Sequence, residues 1–195
     1  MPRQKEFDET EVLDQALELF RARGFKHTSF SDLTEELGVS RQSLYDTYGD
    51  KQALYQTALK RYLDRALDSI RRKLDDPAPV REIMTGLLEG IIAGSCSKGA
   101  NGSPGCFMVN AMVELSPHDA DTRAAAQTHA REIEGLFVSR FSLAQRKGEL
   151  AKSKDPVALA HFFYHTILGI AVASRALGDK ASLGQTVRLA LQVLD

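Results

Sequence analysis

Between Ser29 and Gly49 the chain is punctuated so closely that only two short, abutting helices fit. Ser29 precedes the apolar positions Phe30, Leu33 and Leu37, with Asp32 three residues on as an acidic capping partner, and Gly38 ends the segment after about nine residues. Val39-Ser40 then leads into residues 41–48, which Gly49 closes. Gly38 permits a tight turn, while Leu33, Leu37, Val39 and Leu44 hold the two helices at a fixed angle, as a helix-turn-helix requires. A generic helical hairpin shares these apolar positions. The exposed face of the second helix separates the two readings: Arg41, Gln42, Ser43, Tyr45 and Thr47 are polar groups of the kind that read base edges and hold phosphates.

Flanking segments supply a scaffold for the pair. Leu13, Ala16, Leu17 and Phe20 recur at i, i+3, i+4 and i+7, so a first helix is expected over roughly Asp8 to Arg23, stopped by Gly24. Asp50 caps a longer helix from Lys51 to about Lys73, roughly 35 Å at 1.5 Å per residue, with Leu59, Tyr62, Leu63, Leu67 and Ile70 on one face.

These residues resemble the TetR family of transcriptional regulators, of the AcrR-like kind. The likeness runs through Ala16-Leu17-Glu18-Leu19-Phe20, Gly24-Phe25, residues 28–33, Leu37-Gly38-Val39-Ser40 and residues 44–54, about the first 55 residues in all. Thr34 stands where Ala is usual and Tyr48 where Phe is usual; both are sterically close. The resemblance implies that Arg41, Gln42, Ser43 and Thr47 face bases, while Ser29, Tyr45 and Lys51 hold phosphates. It also implies a second, helical domain enclosing a small effector, with little to say about which effector. For Tyr45, packing at the hairpin edge competes with the phosphate role. Asp46 accepts from a cytosine amino group, caps locally or faces away.

Charge bears on this reading. The net formal charge is -1, so no global field draws the chain to nucleic acid or an anionic membrane, and binding must come from a local patch. Residues 1–51 carry seven basic and eleven acidic groups, but Glu9, Glu11, Asp14, Glu18, Glu35 and Glu36 lie on helices that need not face a duplex. With 43% hydrophobic and 26% charged residues the composition is that of a globular protein. The charged N-terminus excludes a secretory segment, and the most apolar stretch, 167–174, is bounded by His165 and Arg175, so no membrane span is expected.

The rest reads as helix, since no stretch shows sustained period-2 alternation. Helices are expected over 79–95, from Ser103-Pro104 through the apolar run Cys106 to Leu115, over about 119–147, over 155–177 and over 181–194, giving about nine in an all-α chain. Met84, Phe107, Met108, Met112, Phe137 and Phe141 are candidates to line an effector pocket, although the same residues fill ordinary cores. With Ser103 as N-cap and Pro104 at N1, Cys106 falls at N3, where the helix dipole favours thiolate. It is a possible redox or electrophile sensor, with Lys98 nearby and Cys96 as a resolving partner, against the plain alternative of a small buried hydrophobe. His161 and His165 are four apart without an evident third ligand, so no metal is expected, and no cofactor motif appears.

The expectation is a cytoplasmic, non-enzymatic homodimer with a helix-turn-helix DNA-binding domain over 1–51 and an effector-binding and dimerisation domain over 52–195. It would bind a palindromic operator and pair through 155–177 and 181–194, where Leu168, Gly169, Ala171, Val172, Ala173 and Ala176 suit close packing. A thiol-switched regulator without a conventional ligand is the alternative within this class. An all-α small-molecule carrier or enzyme is the alternative outside it, and leaves residues 41–51 without a purpose.

Overall fold

The computed structural model describes residues 7–95 and 105–195, all helices and connections, with no strand among them. The order is α1 (Glu9–Arg23), α2 (Phe30–Leu37), α3 (Arg41–Tyr48), α4 (Lys51–Leu74), α5 (Val80–Ser95), α6 (Phe107–Glu114), α7 (Ala120–Lys147), α8 (Pro156–Ala176) and α9 (Lys180–Leu191), closed by a 3-10 turn over Gln192–Leu194. The residues expected to start and stop the early helices do so. Asp8, Ser40 and Asp50 each cap with a side-chain oxygen, and Ser29 and Asp32 form a reciprocal capping box. Hydrogen bonds to the carboxylate from the Ser29 side chain and from its backbone N–H hold the Asp32 carboxyl below its ordinary pKa.

Helix α6 departs from expectation. Cys106 is its N-cap rather than its third residue, and no side chain caps the helix there. Ser103 and Pro104, on which the expected register rested, lie outside the described residues, as do Lys98 and Cys96. Cys106 is a half-buried free thiol, and its sulfur accepts a hydrogen bond from Tyr62 Oη at 3.4 Å.

Two cores organise the chain. One joins α1, α2 and α3 through Leu13, Phe20, Leu33 and Leu44, and is completed by Leu54, Tyr55 and Leu59 of α4 and by Phe107, Met108 and Ala111 of α6. Tyr55 sits at its centre, edge-on to Phe20, Phe25 and Phe107 with ring centroids 5.1–5.2 Å apart. The other joins α5, α7, α8 and α9 through Met84, Leu88, Phe137, Phe141 and Phe163. Residue 51 is therefore where a helix begins, while the first core reaches on to Leu63 and into α6.

Helix α8 is long and apolar enough to cross a bilayer by length and composition, because it extends beyond the stretch 167–174 and takes in both His165 and Arg175 within a longer apolar run. Here the helix packs against α7, α5 and α9, burying Leu159, Ala160, Phe163, Tyr164, Ile170, Ala171 and Ser174.

Candidate nucleic-acid interface and effector cavity

Helix α3 buries Leu44 completely and turns Arg41, Gln42, Tyr45 and Asp46 outward, with Ser43 and Thr47 half-buried beside them. These six lie on one short helix, fixed at its start by Ser40, whose Oγ accepts the Ser43 backbone N–H at 3.1 Å and donates to Ser43 Oγ at 2.9 Å. Asp46 is a local partner in the free protein: Gln42 Nε2 donates to its Oδ1 at 2.7 Å, which holds the glutamine amide in a defined rotamer.

Arg41 is ordered by aromatic rings. Phe30 and Tyr45 stack at 4.5 Å between centroids with planes 11° apart, and the Arg41 guanidinium lies 5.3 Å from the first ring and 5.6 Å from the second. Tyr45 thus packs at the hairpin edge and still presents 40% of its surface to solvent. In the sequence Phe30 is simply an apolar position at the start of α2. Its contribution to placing Arg41 depends on α2 and α3 being side by side, which no spacing within either helix reveals.

Two expected phosphate ligands have other tasks in this structure. Ser29 Oγ accepts the Asp32 N–H at 3.0 Å as the α2 cap. Lys51 is turned inward, its Nζ donating to Phe25 O at 3.0 Å and Thr28 O at 2.9 Å and lying 4.1 Å from the Phe25 ring centroid. A lysine at the start of a helix following Asp50 reads as a surface cation in sequence. The loop joining α1 to α2 folds back over it and accepts its hydrogen bonds.

A cavity of about 270 Å³ lies between α1, α4, α5, α6, α7 and α8. Tyr62, Cys106, Met108, His129, Ile133 and Tyr164 are among its walls. Burial pushes the Tyr62 and Tyr164 hydroxyls up, Tyr164 to about 12, and pulls His129 down, so all three rings are neutral near pH 7. Arg21 and Lys73 also line it, and no carboxylate does among the described residues. The volume lies between that of a cavity that takes benzene, about 150 Å³, and that of a drug-sized site.

Only Met108 of the six expected lining residues borders this space. Met84, Phe137 and Phe141 are fully buried in the α5/α7/α8/α9 core, and Phe107 and Met112 belong to the other core. Apolar positions at helical spacing do not distinguish a cavity wall from a filled interior; that depends on which helices splay apart. Of the residues expected at a two-fold interface, Gly169, Val172 and Ala176 are exposed on α8, Leu168 and Ala173 are half-buried, and Ala171 is buried. The exposed α8 positions Ala158, Phe162, His165, Gly169, Val172 and Ala176 follow one another at alternating spacings of four and three, one continuous stripe. His161, one residue off that stripe, places Nε2 3.8 Å from Glu134 Oε2. Among the described residues no three metal-ligating side chains converge.

Comparison with known proteins bears on both sites. Residues 12–58 match the family model described as bacterial regulatory proteins, tetR family, and residues 92–190 match the one described as tetracyclin repressor-like, C-terminal domain. The chain is 32% identical over the full length of both chains to the uncharacterized HTH-type transcriptional regulator YezE of Bacillus subtilis. It is 28% identical to the HTH-type transcriptional repressor ComR of Escherichia coli, over 96% of this chain and 88% of that one. Among solved structures it superposes with a TM-score of 0.84 and 29% identity on a cysteine-substituted form of the TetR family regulator CifR complexed with a 26-bp operator, covering 97% of this chain and 98% of that one.

Proposed function

This chain belongs to the TetR family of bacterial transcriptional regulators, and from that premise we propose that it is a homodimeric repressor released from a palindromic operator by a small molecule held between α4, α5, α6, α7 and α8. The family is one of regulators, not enzymes, and the operator-bound relative lends support to double-stranded DNA as the partner. One observation carries the DNA reading: Arg41 and Gln42 stand exposed on α3, already oriented by an aromatic stack and by Asp46. Groups ordered before binding lose little freedom on meeting base edges. Ser43 and Thr47 complete the base-facing set and Tyr45 the phosphate contacts, with Ser29 at the α2 cap on the same side. Lys51 serves by shaping the loop behind them.

A single short recognition helix reads only a few base pairs, so two are needed, spaced about 34–36 Å apart on the operator. The apolar α8 stripe with Leu189 of α9, 64% exposed, supplies the face for pairing. As a reader of operator DNA, the protein would act in the cytoplasm. The effector would be compact, as the cavity's size favours, with an apolar body against the neutral rings and room for an acidic group near Arg21 and Lys73.

The test is selection of operator sequences from a random pool by the full-length protein, followed by anisotropy titrations of the selected and of random DNA. Arg41→Ala and Gln42→Ala are expected to weaken the selected sequence far more than random DNA. Equal losses on both would remove these side chains from base reading.

A thiol-switched form of the same regulator is favoured by one contact, the Tyr62 hydroxyl donating to Cys106 Sγ at the cavity wall. The test is operator release by iodoacetamide in wild type against Cys106→Ser and Cys96→Ser; release unchanged in Cys106→Ser would return that residue to plain packing.

A further inference from the structure

Helix α6 ends on a carboxylate placed against its own dipole. Glu114 is the last residue of the helix, where the C-terminal partial charge disfavours an anion. Its two oxygens are both used: Oε2 accepts the Phe25 backbone N–H at 3.0 Å and Oε1 accepts the Lys26 N–H at 2.7 Å. The two amides are successive, and they follow Gly24, whose φ of +85 turns the chain out of α1 so that both N–H groups reach the same carboxylate. A Cβ at Gly24 would stand 2.8 Å from Glu114 Oε2, so glycine here serves the close approach as well as the backbone angle.

The turn that Glu114 grips is the loop that Lys51 holds from the other side through Phe25 O and Thr28 O. That loop runs directly into Ser29, the cap of α2, and so fixes where α2 and α3 begin. At its opposite end α6 borders the cavity through Gly105, Cys106, Met108 and Val109. There Arg21 Nε donates to Gly105 O at 2.7 Å, and midway Asn110 Nδ2 donates to Arg21 O at 3.2 Å. A rigid rod of eight residues, roughly 12 Å long, thus has one end in the cavity wall and the other bonded to the backbone of the DNA-reading head.

We propose that Glu114 is the positioning residue through which α6 sets the angle of the recognition helix, so that occupation of the cavity is felt at α3 by displacement of this one carboxylate from its turn. The inference rests on reading the cavity as the effector site. A carboxylate accepts both amides; an amide side chain accepts one and turns an N–H toward the other. Glu114→Gln therefore releases the loop while leaving bulk and helix propensity nearly unchanged.

The experiment uses the full-length dimer and an operator selected by wild type. The first arm measures, without any ligand, operator affinity and the distance between spin labels at Glu35→Cys on the two heads, in a background with Cys96→Ser and Cys106→Ser. Glu114→Gln is expected to broaden the distance distribution and weaken operator binding at least tenfold, with the melting temperature within a few degrees. Gly24→Ala, which crowds the same contact from the loop side, is expected to do likewise, and the double variant to add nothing further. Distances and affinity that stay as in wild type in both single variants would overturn the proposal.

The second arm uses iodoacetamide on protein carrying only Cys106, adding bulk where α6 meets the cavity. Wild type is expected to lose operator affinity on alkylation, and Glu114→Gln to bind equally well before and after. If alkylated Glu114→Gln loses as much as wild type, the signal runs by another route and the proposal fails. If alkylation leaves wild type unaffected while the first arm holds, Glu114 retains its positioning role and the effector reading of the cavity is what fails.

Discussion

The DNA-reading head and the α5/α7/α8/α9 body are held together by different means. In the head the helices are short and each is tied by polar bonds to backbone: the caps at Asp8, Ser29, Ser40 and Asp50, Lys51 on two carbonyls, Tyr48 Oη on Glu9 O at 2.8 Å. The body relies on long helices and interior aromatics, with Phe141 5.5 Å from Phe163 and 6.2 Å from Phe137. Its polar ties to backbone sit where helices meet their connections: Asp119, Asp155 and Asp179 cap helix starts, Arg140 Nη2 donates to Ala78 O, and Glu149 Oε2 accepts the Val80 N–H. Directional bonds specify an orientation, which a recognition helix needs. Apolar area specifies compactness and tolerates a void.

The sharpest way to break this contrast is to empty each core in turn. Phe20→Ala and Phe137→Ala both remove a fully buried ring and should each cost about 3–5 kcal/mol. Because Phe107 and Leu115 complete the head's core, Phe20→Ala is expected to lower the single melting transition of the whole chain. Calorimetry showing a separate, low-temperature head transition would mean that the two regions fold independently.

Lys51→Met tests the polar side of the comparison. It keeps the apolar stem but deletes a cation bonded to two carbonyls, at an expected cost of about 1.5–3 kcal/mol in chemical denaturation. A loss of DNA affinity with no loss of stability would return Lys51 to the phosphate contacts.

Arg41→Ala should weaken binding to the selected operator by about 1–3 kcal/mol and relax base preference, with stability unchanged within about 0.5 kcal/mol. Phe30→Leu should reproduce a fraction of that loss by removing the ring under the guanidinium. An Arg41 loss equal on random DNA would make it a backbone contact.

The smallest effect concerns the tie between α1 and α4. Asp14 receives Arg61 Nε at 2.6 Å and Arg65 Nη1 at 2.7 Å, and these hydrogen bonds hold its carboxyl well below the usual range. A depressed pKa contributes stability that is full above the unfolded value of about 3.9, declines below it and is gone only once pH has fallen through the folded value. All three side chains are partly in water, so Asp14→Asn should cost no more than about 1 kcal/mol at pH 7, with the difference vanishing in acid. A cost at pH 2.5 as large as that at pH 7 would assign the loss to packing.

The same contrast explains what could be read beforehand. Caps, glycine stops and a tight turn are local in sequence, so Ser29, Asp32, Gly38, Ser40 and Asp50 announce the head almost residue by residue. The inward turn of Lys51 and the stack under Arg41 are contacts between elements, invisible to spacing. In the body, Phe137 and Met108 belong to the same chemical class, yet one fills the core and the other borders a cavity. Cys106 was displaced from its expected register for a related reason: a Ser-Pro pair is a strong signal for where a helix can start, and the start is decided by what Phe107 packs against, here Tyr55 and Tyr62.

Helix α4 lends Leu54, Tyr55, Leu59 and Leu63 to one core and Leu67, Ile70 and Leu74 to the other. For anyone grafting a new DNA specificity onto this protein, the natural seam is consequently not at residue 51. A head transplanted with that junction would leave behind the tyrosine at its own centre and the carboxylate that steers it. The exchangeable module is discontinuous: α1 to α3, the first four turns of α4, and α6 carried across from the other half of the chain.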